Sequence, residues 1–277
     1  MTALQDRTLI ISGASRGIGL AIGLSAARQG ANVVLLAKTA EPHPKLPGTV
    51  YTAAAEIEAA GGRAAAVVGD VRNEADVERA VAVAVDTFGG VDACINNASA
   101  IFTAPTDQLS AKQFDLMMDI NVRGTFLLTR AAIPHLRKSP NAHVLTLAPP
   151  LNMNPYWLGL HPSYTLSKYG MTLLALGWAS EYADVPIASN CLWPETYIAT
   201  AAVTNLASGD DDMVARSRSP QIMGDAAAEI LSRPAAQASG NCYIDSAVLA
   251  QAGRTDLSAY GGGDDPILDL FLDAGQY

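Results

Sequence analysis

Two side chains in this sequence are spaced for proton transfer. Tyr164 and Lys168 stand four residues apart in the helix-compatible run Tyr164-Thr165-Leu166-Ser167-Lys168. Residues at that separation on a helix share a face, one turn above the other. A free phenol titrates near ~10 and is a poor base at neutral pH. A neighbouring ammonium favours the phenolate, so the pair is expected to exchange a proton with a hydroxyl or carbonyl near neutrality. The same spacing arises on any amphipathic helix with a polar edge. The pair therefore acquires meaning only from what the rest of the chain places beside it.

At the other end, the apolar run Thr8 to Ser12 leads into Gly13-Ala14-Ser15-Arg16-Gly17-Ile18-Gly19, followed by an apolar-periodic stretch to about Gln29. Strand, glycine turn and helix start make a place where a pyrophosphate can approach the backbone. There it meets free N–H groups and the positive end of a helix. Gly13, Ser15, Arg16, Gly17, Ile18 and Gly19 are thus candidate dinucleotide contacts. The second strand, Asn32 to Ala37, ends at Lys38-Thr39. A site selective for NAD usually puts an acidic residue there, on the ribose hydroxyls. Lys38 and Arg16 suit a 2′-phosphate instead, so NADP(H) is expected, with NAD(H) the runner-up.

The elements that must position these groups alternate. Strand-like runs at Ala64 to Gly69, Val91 to Asn96, Ala142 to Ala148, Pro186 to Trp193 and Cys242 to Asp245 are separated by helical patterns. These cover Val50 to Ala60, a stretch from an Asn73 cap to about Phe88, Lys112 to about Lys138, Ser163 to Ala183 and Gln221 to Ser232. Such alternation predicts an α/β fold, a single Rossmann-type doubly wound parallel sheet with helices on both faces. Ligands on these sheets sit past the carboxyl ends of the strands, where the glycine turn, Asp70 and Asn96-Asn97 all fall. Pro149 to Pro162 reads as a loop, residues 195–220 as a substrate lid, and residues 254–277 as a tail with an apolar patch from Pro266 to Leu272. No repeat or linker divides the 277 residues, so one domain is expected.

Composition narrows the partners. Hydrophobic residues make up 49% of the chain, and its formal charge of −9 disfavours nucleic acid and anionic membrane. No apolar run is long enough to span a bilayer, and the polar start is not a secretory signal. Cys94, Cys191 and Cys242 lack metal-ligand spacing and read as free thiols in a reducing compartment, consistent with a cytoplasmic location.

In order along the chain, Gly13-x-x-x-Gly17-x-Gly19, Asn96-Asn97-Ala98, Asn121 and Tyr164-x-x-x-Lys168 resemble the short-chain dehydrogenase/reductase family over roughly residues 7–250. The segment Ala37 to Gly48, the stretch Pro149 to Pro155 and Tyr169-Gly170-Met171 are similar to its hydroxysteroid-dehydrogenase-like branch, which in animals adds a sterol-carrier domain that this chain is too short to hold. The resemblance implies roles. Tyr164 would be the acid/base, and Lys168 would lower its pKa and bind the nicotinamide ribose. Asn121 would hold a water in a relay to Lys168. Asp70 and Val71 would flank the adenine, Asn97 and Ala98 would line the cofactor, and Pro194 and Thr196 would sit by the nicotinamide amide.

The family pattern also has a serine shortly after the fifth strand, steadying the substrate oxygen. Here that stretch is Ala148-Pro149-Pro150. Asn152 is the favoured substitute, with Ser163 and Thr146 the alternatives. Glu195 stands where the family has a glycine. The expected function is interconversion of a hydrophobic alcohol and its aldehyde or ketone. Leu151 to Leu160, Trp193 and Tyr197 would supply an apolar pocket or pack beneath the loop. The alternative is a cofactor-binding sensor with little turnover; reduction of a C=C bond is a third option. Apolar residues beyond one face of two helices (Phe126, Leu127, Leu128; Leu173, Leu174, Leu176, Trp178) predict a homodimer or homotetramer.

Overall fold

The computed structural model describes residues 3–43, 47–201, 203 and 211–274. Among these residues, seven strands form one sheet: β1 (Thr8–Ser12), β2 (Asn32–Ala37), β3 (Arg63–Val68), β4 (Ala93–Asn96), β5 (Ala142–Thr146), β6 (Ile187–Trp193) and β7 (Cys242–Ile244). Every neighbouring pair is parallel, and the order is β3-β2-β1-β4-β5-β6-β7. The chain winds outward from β1 to β3, returns to β4, and winds outward again to β7. The reversal lies between β1 and β4, where doubly wound sheets open their ligand crevice.

Burial explains the layering. β1, β2, β4, β5 and β6 are buried along their whole length, as strands covered on both faces must be. Alternate residues serve opposite layers. Leu9 and Ile11 pack with Ile22 of α1 (Gly17–Ala27), Ile57 of α2 (Val50–Ala59) and Met223 of α9 (Gln221–Ser232). Ile10, between them, packs with Val77 of α3 (Glu74–Phe88) and Leu128 of α5 (Thr125–Leu136). The Asn73 side chain accepts from the Ala75 N–H and caps α3, whose first turn carries Glu74 and Asp76, as the helix dipole favours.

Several elements differ from the sequence reading. The helix expected from Lys112 begins as α4 (Ala111–Met117) behind a Ser110/Gln113 capping box, widens to a π-helix over Met118–Gly124, and continues as α5 past Pro134 to Leu136. The expected loop 149–162 contains a short helix, α6 (Pro155–Leu160). It is started by the Asn154 side chain accepting from Tyr156 N–H and by a proline whose missing donor costs nothing at that position. The Tyr164 helix, α7, runs Pro162–Glu181. After β7 the chain turns directly into an unanticipated helix, α10 (Asp245–Gln251). Between β6 and α9 lies the short α8 (Asp211–Ala215). Parts of the anticipated lid (202 and 204–210), of the proline loop (44–46) and of the tail (275–277) lie outside the described residues.

Candidate active site

The turn after β1 is built by three glycines and one amide. Gly13 and Gly17 take positive φ of 67° and 58°, a region where side chains are strained. A Cβ on Gly19 would stand 2.6 Å from Asn97 Nδ2 and 2.7 Å from Gly13 O. Asn97 Nδ2 donates to Ser12 O and Gly13 O, while Ser12 Oγ accepts from the N–H groups of Asn97 and Ala98. The end of β4 thus braces the turn after β1. Arg16, at the start of α1, is extended and supplies no side-chain cap, and the first turn carries no acidic residue. The leading N–H groups of α1 are therefore left for an anion.

These residues border a cleft of about 800 Å³. Gly13, Ser15, Arg16, Gly17, Ile18, Lys38, Asp70, Val71, Asn97 and Ala98 all line it, and Gly19 packs beneath. Arg16 donates from Nε to Pro47 O and from Nη2 to Gly48 O. Lys38 Nζ lies 3.7 Å from Asp70 Oδ2, whose firmer partner is Arg72 at 2.6 Å. The Arg72 hydrogen bond leads the forces holding the Asp70 carboxyl below its ordinary range.

A second cavity of about 340 Å³ shares Ile18, Asn97, Ser99, Ile101 and Thr200 with the first and extends it. Tyr164, Lys168 and Pro194 line it. Lys168 is 3% exposed; its Nζ donates to Leu147 O at 2.8 Å and sits 5.2 Å above the Trp193 ring. Burial lowers Lys168 to about 8, against the opposing pull of Asp269 and Cys191. The sequence expectation for Tyr164 requires correction here. Burial first, then Asp269 and Tyr197, push its hydroxyl well above the ordinary phenol range. The side chain stacks near Phe271, with ring centroids 6.3 Å apart. That direction favours the neutral phenol.

Asn121 is fully buried in the π-helical turn, a wide winding that often marks functional segments. Its amide joins the loop after β4 to α7: Oδ1 accepts from Ala100 N–H, and Nδ2 donates to Ala100 O and Ser167 Oγ. The Lys168 ammonium bonds Leu147 O rather than this amide.

None of the three proposed serine substitutes lines the second cavity. Asn152 is spent on the tail, donating to Phe271 O and Asp273 Oδ2. Thr146 is fully buried and accepts from Asn96 Nδ2, and Ser163 stands beside Tyr164 without facing the cavity. The tail itself forms a wall. Trp193 Nε1 donates to Leu270 O, Trp157 Nε1 donates to Asp273 Oδ1, and Leu268 pairs with Thr196 in an antiparallel bridge. Phe271, 2% exposed, has Trp157, Tyr164, Tyr169 and Trp193 around its ring. This wall brings Asp269 and Leu270 into the cavity, and His161 joins them from the start of α7. Sequence reasoning passed over both Asp269 and His161. The only signal was an apolar tail patch interrupted by a carboxylate.

Thr196 lines neither cavity, yet its hydroxyl is buried without a partner. An uncapped helix start and a turn too tight for side chains fit an anionic ligand at the glycine turn.

Comparison with known proteins agrees with this geometry. The short chain dehydrogenase family model matches residues 7–211. Hydroxysteroid dehydrogenase-like protein 2 of Xenopus tropicalis is 54% identical over 272 residues, which are 98% of this chain and 64% of that protein. The chain thus spans just under two thirds of the length of this curated relative. A solved structure from Xanthomonas campestris is 51% identical with a TM-score of 0.94, covering 99% of this chain and 100% of that one. A short chain dehydrogenase from Mycobacterium thermoresistibile is also 51% identical, with a TM-score of 0.91 over 98% and 96% of the two chains.

Proposed function

Because the chain belongs to the short-chain dehydrogenase family, we propose that it is an NADP(H)-dependent oxidoreductase interconverting a hydrophobic alcohol and its aldehyde or ketone. One observation carries the reading. The Tyr164 hydroxyl, without a hydrogen-bond partner among the described residues, faces a cavity continuous with the glycine-turn cleft, and Lys168 is buried one turn behind it. The nicotinamide, when bound, supplies or accepts the hydride. Gly13, Ser15, Gly17 and Ile18 would hold the pyrophosphate, Asp70 and Val71 the adenine, and Pro194 and Thr196 the amide. Asn121 is proposed to anchor the relay water near Lys168. A neutral phenol suits proton donation to a developing alkoxide, the direction of carbonyl reduction. Ile101, Leu147, Trp193, Ile198 and Leu270 give the second cavity its apolar walls. Leu151, Met153, Tyr156 and Leu160 are exposed and stand outside it.

Arg16 and Lys38 support the choice of NADP(H), since both line the cleft and no acidic residue ends β2. Charge-assisted hydrogen bonds contribute about 1.5–3 kcal/mol, so Arg16→Ala and Lys38→Ala should each lower kcat/KM with NADPH by roughly 10- to 100-fold. The same variants should change kcat/KM with NADH little. Steady-state kinetics with both cofactors across apolar aldehydes and ketones tests cofactor and substrate together. Equal losses with NADH and NADPH would overturn the NADP(H) assignment.

The alternative, a cofactor-binding sensor, is favoured by Ala148-Pro149-Pro150 standing where the family has its serine. It would bind NADPH and oxidise none across that panel. We also propose a homodimer or homotetramer. Phe126 on α5 and Leu166 and Leu173 on α7 are exposed, while Leu127, Leu128 and Trp178 fill the chain's own core. A monomer by light scattering would refute the assembly.

A further inference from the structure

We propose that Asp269, delivered by the C-terminal tail, is the substrate-contacting hydrogen-bond donor that replaces the absent family serine. The inference rests on the oxidoreductase reading above and adds the residue that engages the substrate oxygen together with Tyr164.

Four observations converge on it. First, the stretch Ala148-Pro149-Pro150, where the family pattern has its serine, carries no hydroxyl, and none of the three residues lines the substrate cavity. Second, two other polar side chains of that cavity are already engaged. Asn97 is bonded to the glycine turn, and Ser99 donates to Ala100 O. Third, the tail fixes Asp269 rigidly. Its N–H donates to Glu195 O, its neighbour Leu268 pairs with Thr196, and Leu270 O is held by Trp193 Nε1. Fourth, the carboxyl is only half used. Oδ1 accepts from Leu270 N–H at 2.6 Å, and Oδ2 has no hydrogen-bond partner among the described residues.

The protonation state follows from the surroundings. Burial raises Asp269 to about 8, with Asp245 adding to the rise and Lys168 opposing it. Tyr164 and His161 face it from α7, and Tyr197 from the segment after β6. Glu195, on that same segment, is already paired with Arg218 at 3.0 Å. A carboxyl kept neutral has one O–H to give, and a buried apolar site is where such a donor is most useful. Oδ1 is occupied, so the proton belongs on Oδ2, the oxygen left to serve the cavity that Asp269 lines. Placed there, the O–H and the Tyr164 phenol would hold one carbonyl oxygen between them, as paired donors do where negative charge develops.

Two variants test this. Asp269→Leu removes the donor, and Asp269→Asn keeps the acceptor for Leu270 N–H and offers an amide donor that cannot ionise. With NADPH, Asp269→Leu is expected to lose about 10²-fold in kcat/KM, the usual cost of deleting one such donor, with NADPH affinity unchanged. Asp269→Asn should recover most of that loss. Wild-type kcat/KM should fall as pH rises through about 8, and in Asp269→Asn this fall should be shallower, the remainder belonging to Lys168, which burial also brings to about 8. A Leu variant as active as wild type, or identical pH profiles for wild type and Asn variant, would overturn the proposal. A separate readout needs no turnover. The ¹³C carboxyl signals of aspartate-labelled protein, assigned by Asp269→Asn, should show Asp269 protonated at neutral pH and shifted by added acetophenone. An Asp269 ionised at neutral pH sinks the proposal even if the chain is an active reductase. A protonated, acetophenone-responsive Asp269 in a chain that oxidises no NADPH supports the contact and defeats the enzymatic reading instead.

Discussion

Replacing Tyr164 by phenylalanine is expected to abolish detectable turnover while leaving the fold and NADPH binding intact. The substitution removes a single oxygen, and that oxygen makes no hydrogen bond among the described residues. Its loss strands no buried partner. The phenylalanine ring can keep the stacked position beside Phe271. The glycine-turn cleft is lined by other side chains, so cofactor affinity should be unchanged. What disappears is the proton at the substrate oxygen, and general acid–base groups contribute roughly 10²–10⁴-fold. Pre-steady-state and steady-state NADPH oxidation, read beside NADPH fluorescence titration and thermal unfolding, separates these effects. Residual activity within a few-fold of wild type would place proton transfer elsewhere. The direction of the Tyr164 shift adds a sign. Because burial holds the phenol neutral, reduction should be active at neutral pH and should not require ionisation of this tyrosine.

Shortening Phe271 to alanine is expected to give the largest stability change of any single substitution in the tail. The side chain is 2% exposed and sits among four aromatic rings, from Trp157 on α6, Tyr164 and Tyr169 on α7, and Trp193 at the end of β6. Phe→Ala at a buried site costs about 3–5 kcal/mol, which for a chain of this size lowers Tm by roughly 10 °C. The same ring backs the Tyr164 side chain, so KM for apolar carbonyls should rise together with the drop in Tm. Phe271 also holds φ at +72°, a conformation costing about 1–2 kcal/mol for a residue with a side chain. That the chain keeps a phenylalanine there, rather than glycine, is consistent with the ring being needed. Differential scanning calorimetry on Phe271→Ala and Phe271→Gly checks both parts. A glycine variant as stable as wild type would show that the aromatic contacts contribute little.

What could be read from the sequence was whatever depends on near neighbours. The glycine turn, the Asn73 cap, the alternation of strands and helices and the Tyr164/Lys168 spacing all appear in the structure, because each is set within a few residues. The parallel sheet followed from strands alternating with helices along the chain. Groups whose surroundings come from distant segments were misread. Asn152 suggested a substrate contact until Phe271 and Asp273, far along the chain, claimed its amide. Tyr164 was expected to be acidified by Lys168, yet the burial contributed by several elements acts in the opposite direction. Asp269 resembled any acidic residue in a tail, and only the Thr196–Leu268 bridge reveals which way it is carried. The π-helical turn has no local spelling to betray it.

That turn has a consequence for the permissible length of the chain. Seven residues, Met118–Gly124, wind more loosely than the helices on either side, so the segment carries what amounts to one surplus residue. Removing a residue from α5 would swing Leu127, Leu128, Ala132 and Leu136 about 100° away from the sheet. Removing one within 118–124 lets ordinary winding absorb the change and leaves those four leucine and alanine side chains where they are, and the casualty is confined to the seat of Asn121. A one-residue deletion within 118–124 should therefore lower Tm less than one within α5, a comparison that thermal unfolding of the two variants checks.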